Sequence, residues 1–121
     1  MQKIKFYTSL VHSMSSPTIW DESNGVYLGF DNQIHTKPDY MNHIYTDLSI
    51  WGIFRTQFPF IILHDSKRAN DIIHSILLIV QQGNYLPMWP LANGHTGCMI
   101  GSQADIMISD LIMKHATMIP I

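Results

Sequence analysis

Cysteine is almost absent from this chain. Cys98 is the only one among 121 residues, so no disulfide can close within it, and cysteine usage says nothing about the redox compartment. Charge is scarce too: 13% of residues are Asp, Glu, Lys or Arg, against roughly a quarter in an ordinary soluble domain. There is no run of Lys or Arg, and the formal net charge is -2. That excludes the basic footprint of a nucleic-acid binder or of a protein held on an anionic membrane. Long apolar runs are missing as well. The longest, Ile76 to Val80, is far short of the roughly 20 residues a membrane-spanning helix needs. The opening Met1-Gln2-Lys3-Ile4-Lys5 has no secretory pattern, and no Asn-x-Ser/Thr acceptor occurs. For an exported protein, the signal is expected upstream of these residues. Glutamate is nearly missing: eight of the nine acids are Asp, and Glu22 stands alone.

Apolar residues are plentiful, at 46%. The length suits one compact domain. A domain of this size buries only about 60–70% of its unfolded surface. Such a mixture of high hydrophobicity and low charge therefore fits a chain whose faces are covered by something else.

Helical periodicity dominates. Ile4, Tyr7, Leu10, Val11 and Met14 recur at helical spacing, and Ser15-Ser16-Pro17 closes that segment, predicting a helix over about 3–15. Asn24-Gly25 and Val26-Tyr27-Leu28 suggest a small hairpin near residues 24–36. Leu48, Trp51, Phe54 and Phe58 predict a helix over about 46–63, capped by Thr46 or Asp47 and kinked or ended by Pro59. Asp65-Ser66 caps a third helix to about Gln82, with Ala69, Ile72, Ile73, Ile76, Leu77 and Val80 on its apolar face and Gly83 as its stop. Ala104, Met107, Ile108, Leu111 and Ile112 predict a fourth over about 102–115. Helices joined by long loops read as an all-α domain.

Two stretches are stranger than packing requires. Residues 85–99 place Trp89, Asn93, His95 and two glycines in an irregular segment. An indole face beside directional amide and imidazole groups suits a sugar; an ordinary loop with Trp89 plugging the core is the plainer reading. Residues 45–55 hold Gly52 inside a helical pattern, at a cost of about 1 kcal/mol relative to Ala. It marks either a close helix contact or a lost side chain. Trp51 and Arg55 share a face there. The seven histidines never occur four residues apart, so no zinc site is expected. No pair of carboxylates announces itself.

Those stretches, taken with others, carry a resemblance. Phe6-Tyr7-Thr8-Ser9-Leu10, His12-Ser13, Pro17-Thr18, Tyr27-Leu28-Gly29-Phe30-Asp31, His35, Tyr45-Thr46-Asp47-Leu48-Ser49-Ile50-Trp51, Phe54-Arg55 with Pro59, Arg68 to Ser75, Gln82-Gly83, Leu86-Pro87-Met88-Trp89 and Thr96-Gly97-Cys98-Met99-Ile100-Gly101 together resemble the catalytic domain of glycoside hydrolase family 92. Each block alone is weak; their order and spacing across nearly the whole chain are specific.

The resemblance implies part of a calcium-dependent, inverting exo-α-mannosidase acting on terminal α-mannosides of N-glycans or mannans, secreted or otherwise extracytoplasmic. Its fold is then an incomplete segment of an (α/α)6 toroid, lacking the N-terminal β-sandwich and the remaining helices as neighbours. Trp51, Gly52, Arg55, Trp89 and Asn93 are expected at the substrate, and His95 at the position of the general acid. The chain departs from the family pattern three times. The base motif is not among its residues, His95 stands where a Glu is usual, and Gly52 where an Asp is usual. Calcium is expected in the complete protein and none on this segment alone. Two alternatives follow from these departures: a branch that cleaves mannosyl phosphate and does not need the Glu acid, or a non-catalytic carbohydrate-binding or scaffold remnant.

Overall fold

The longest helix grows from the strongest amphipathic pattern. In a computed structural model, which describes residues 1–114, α4 spans Ser66–Gly83. Asp65 caps it: its carboxylate accepts the Arg68 backbone N–H at 3.0 Å, occupying one of the orphan donors of the first turn. The helix buries Ala69, Asp71, Ile72, Ile73, Ser75, Ile76 and Ile79. It ends on Asn84, in the left-handed conformation at φ 60°, whose N–H returns to the Val80 carbonyl. The expected stop is thus shifted by one residue. Gly83 stays helical, and asparagine, which tolerates that region well, makes the turn.

Two helices cover the buried face of α4. One is α3 (Gln57–His64), through Phe58, Ile61 and Ile62. The other is α5 (Gln103–Lys114), through Ala104, Met107 and Leu111. Leu48 and Ile50 complete this core. Ile112, expected to face inward, is exposed, and His115 lies outside the described residues. The first helix, α1 (Gln2–Met14), keeps its expected limits but buries none of its residues.

The helix expected over 46–63 is broken into pieces. Tyr45–Thr46 is strand β4, paired antiparallel with β1 (Thr18–Ile19). Asp47 has φ 56°, outside the helical region. A short helix, α2 (Ile50–Ile53), follows Ser49, and the chain turns through 54–56 before α3. Tertiary bonding overrides the periodicity here. The Trp20 N–H reaches the Ile44 carbonyl at 2.8 Å, Asp21 accepts the Ile44 N–H at 2.7 Å, and Ser75 Oγ accepts the Tyr45 N–H at 2.9 Å. Those bonds hold residues 44–45 extended, and with Thr46 paired to Thr18 and Asp47 at positive φ the helix starts only after Ser49. Neither Thr46 nor Asp47 caps α2. Pro59 causes no break, because it falls in the first turn of α3, where its missing N–H leaves nothing unpaired. The rephasing also removes Trp51 from the expected apolar stripe. Leu48 and Phe58 are fully buried, whereas Trp51 is 41% exposed.

The expected hairpin is present, with its turn elsewhere. Strands β2 (Val26–Leu28) and β3 (Ile34–Thr36) pair antiparallel around residues 29–33, and Asn24-Gly25 shapes the entry to β2 instead. Gly29 is required at the tip. A Cβ there would lie 2.6 Å from the His35 ring, 2.7 Å from the Asp31 carboxylate and 2.9 Å from the Gln82 amide. Gln82 fastens this hairpin to the end of α4: its Oε1 accepts the Phe30 N–H at 3.1 Å, and its Nε2 donates to the Tyr27 hydroxyl at 2.9 Å. A second small core of Tyr27, Met41 and Ile44 fills the space beneath. The architecture is therefore helix-rich with small two-stranded sheets, rather than purely helical. No helix among the described residues is long and apolar enough to cross a membrane.

Candidate functional site

Asn84 turns the chain out of α4 into the segment holding Trp89, Asn93 and His95. That segment is ordered by a third strand pair, β5 (Pro90–Leu91) with β6 (Gly94–His95), in which Pro90 faces His95 and Leu91 faces Gly94. Ala92, at φ 51°, and Asn93 make its two-residue turn, of the kind that suits a tight hairpin. Thr96 clamps the base. Its N–H and its hydroxyl both donate to the Trp89 carbonyl, at 3.2 and 3.0 Å.

This hairpin docks on the segment between β4 and α2. Thr46 Oγ1 donates to the Ala92 carbonyl at 2.8 Å. The Leu48 N–H donates to the Pro90 carbonyl at 3.1 Å. The Trp89 indole N–H points to Asp47 Oδ1 at 3.5 Å. The tip reaches the β2–β3 turn, where Asn93 Nδ2 donates to Asn32 Oδ1 at 2.9 Å and approaches the Gly29 carbonyl at 3.5 Å. Trp89, Asn93 and His95 thus share one small hairpin, and backbone and side-chain bonds join it to residues 46–48.

Trp51 and Arg55 form a separate pair. The guanidinium carbon lies 5.2 Å from the Trp51 ring centroid and 4.9 Å from that of Phe54, a cation–π arrangement at a largely wet surface. Gly52 between them is not demanded by packing. A Cβ would meet only Ser49 Oγ, at 3.6 Å, ordinary van der Waals contact. The close helix contact considered for Gly52 is therefore absent, and the position has room for a side chain.

His95 stands against Tyr85, ring centroids 5.6 Å apart. Its Nδ1 is buried and has no hydrogen-bond partner among the described residues. Such an atom is costly unless something else satisfies it. Asp47, Tyr85 and Asn32 are the neighbours that sequence reasoning did not single out as site residues. Asp47 was legible only as an acid ahead of a helix, since nothing in its type announces a positive φ.

Other titratable groups serve the frame. On the β2–β3 turn, the Gln33 backbone N–H and then the His35 ring, 3.0 Å away, hold the Asp31 carboxyl below its ordinary value. Burial raises the Tyr27 and Tyr45 hydroxyls, opposed by the Gln82 hydrogen bond at Tyr27 and by the Arg68 charge at Tyr45. Among the described residues no three of His, Cys, Asp and Glu gather closely enough to hold a metal ion. They do not form a calcium-binding carboxylate cluster. An apolar groove of about 630 Å³ lies elsewhere, between α1 and the α2–α3 region, lined in part by Phe6, Leu10, Ile53 and Phe60.

Known proteins resemble the chain in both sequence and shape. The sequence profile described as the glycosyl hydrolase family 92 catalytic domain matches residues 1–120. The family GH92 α-mannosidase BT3965 from Bacteroides thetaiotaomicron superposes with a TM-score of 0.88 at 30% identity, over 95% of this chain and 16% of that one. Its complex with mannoimidazole superposes equally, with a TM-score of 0.88. The inverting family GH92 mannosidase BT2199 of the same organism gives a TM-score of 0.81 at 27% identity, over 95% of this chain and 16% of that one. The chain thus spans about a sixth of the length of these relatives. No curated protein sequence matches it.

Proposed function

The chain belongs to glycoside hydrolase family 92, and from that premise we propose that it forms one wall of the substrate site of an inverting exo-α-mannosidase. The observation that carries this reading is the docking of the Trp89–Asn93–His95 hairpin on residues 46–48, immediately before the exposed Trp51. Indole faces bound the apolar side of a pyranose ring, while Arg55 and Asn93 supply donors to its hydroxyls. The substrates are terminal α-mannosides of N-glycans or mannans, met outside the cytoplasm.

Inversion needs an acid at the leaving oxygen and a base that activates water on the opposite ring face. His95 takes the acid's place. An imidazolium carries an N–H proton that it can give to a leaving oxygen. In this reading the base comes from outside these 121 residues, and what is assigned to them is binding of the sugar. The (α/α)6 toroid, the N-terminal β-sandwich and the calcium belong to the longer protein in this reading, and no step is assigned to the metal here.

His95 favours a second reading of the longer protein, cleavage of mannosyl phosphate. A phosphate departs as a weakly basic anion and asks little of a general acid.

Ligand-observed NMR with methyl α-mannoside tests the proposal. Saturation transfer to the sugar from the 121-residue chain, with no free mannose appearing, is the expected result. Absence of any transfer would overturn the sugar-site reading. Release of α-mannose as first product would overturn the inverting one.

A further inference from the structure

The geometry points to Asp47 as a substrate-binding residue, a charged acceptor for two neighbouring hydroxyls of the terminal sugar. This rests on the sugar-site reading and adds to it the one group that the expected residues lack, since Arg55 and Asn93 offer donors. Asp47 sits at φ 56°, a conformation sparsely used by residues other than glycine and found where surroundings enforce it. The enforcement is visible on every side. Ser16 Oγ donates to its carbonyl at 2.9 Å. Its neighbours Thr46 and Leu48 are bonded to the Ala92 and Pro90 carbonyls.

That backbone turns the carboxylate toward the Trp89 indole. Oδ1 lies 3.5 Å from Nε1, longer than a well-formed N–H···O bond. Oδ2 takes no hydrogen bond among the described residues, and the residue is only half-buried. A carboxylate has about four lone-pair sites, so most of its capacity is unspent among the described residues. Asparagine would suit the positive φ equally and would still accept from the indole. What the carboxylate adds is charge, which strengthens hydrogen bonds from hydroxyl donors.

Titration of the 121-residue chain with methyl α-mannoside and its monodeoxy analogues, followed by ligand-observed NMR, tests this. Asp47→Asn should weaken binding of the parent glycoside roughly tenfold to a hundredfold, with the circular dichroism spectrum unchanged. In the unsubstituted chain one or two deoxy analogues should lose as much, and in Asp47→Asn those analogues should lose nothing further. Equal affinity of Asp47→Asn and the unsubstituted chain overturns the role of Asp47 and leaves the sugar site standing. Binding of every deoxy analogue within about twofold of the parent overturns it too, without relying on any variant. If the unsubstituted chain binds no glycoside, both readings fall.

Discussion

Helices α4 and α1 are built from similar apolar spacing and end in opposite circumstances. Seven residues of α4 are buried, and its cap, its core contacts and its left-handed exit all agree. None of α1 is buried; Ile4, Phe6, Tyr7 and Val11 are each more than 60% exposed. What places α1 sits at its end, where Met14 packs partly against the core and polar groups tie the backbone. Gln57 Nε2 donates to the Ser13 and Ser16 carbonyls, and the Arg68 guanidinium donates to the Met14 and Pro17 carbonyls at 3.2 and 3.1 Å. Periodicity therefore predicts that a segment is helical without saying what it packs against. In a chain that spans 16% of its solved relatives, the two questions separate.

Breaking the α4 side should have the largest effect. Phe58→Ala and Ile76→Ala remove fully buried side chains and should cost about 3–5 and 2–5 kcal/mol. Urea denaturation should show a large share of the stability gone, since a small domain has only about 5–15 kcal/mol in total. Asp65→Ala, which deletes the α4 cap, should cost about 1 kcal/mol in the same measurement. On α1, Val11→Ser should change the midpoint by less than about 0.5 kcal/mol, because Val11 is 66% exposed. A loss there comparable to that of Ile76→Ala would erase the contrast.

The smallest effect is one of pH, and it concerns the hairpin rather than either helix. Asp31 is held below its ordinary value by the Gln33 N–H and His35. A carboxyl with a depressed folded pKa stabilises above its unfolded value, near 3.9, and that contribution fades as pH falls through the folded value. Asp31→Asn should remove this acid-side step from a thermal-denaturation profile and lower the neutral-pH plateau slightly, by the size of that step.

The sequence pattern located α1, α4 and α5 within a residue or two because each has a repeating apolar face. It failed over 46–63, where the information lay in distant partners: Thr18 pairs with Thr46, Ser16 bonds the Asp47 carbonyl, and the Leu48 N–H goes to the Pro90 carbonyl. No local window contains those residues. At the site, the composition of residues 85–99 marks Trp89, Asn93 and His95 without revealing their hairpin. Asp47 escaped because its importance is conformational, set by a positive φ and by the Ser16 bond from 31 residues away. Gly52 was ambiguous in sequence, and the open space around it removes the packing explanation.

Hydrogen exchange on the 121-residue chain, with and without methyl α-mannoside, tests most directly whether the α3–α4–α5 core presents residues 46–48 and the 89–96 hairpin as one sugar-binding surface. Amides of Ile72 to Ile76 should exchange slowest and those of α1 fastest. The sugar should slow exchange at Leu48, whose N–H joins the two segments, and at Thr96, whose N–H closes the base of the hairpin, and leave α1 unchanged. Protection of α1 equal to that of α4, or a sugar response in α1 with none at Leu48 and Thr96, would contradict the account.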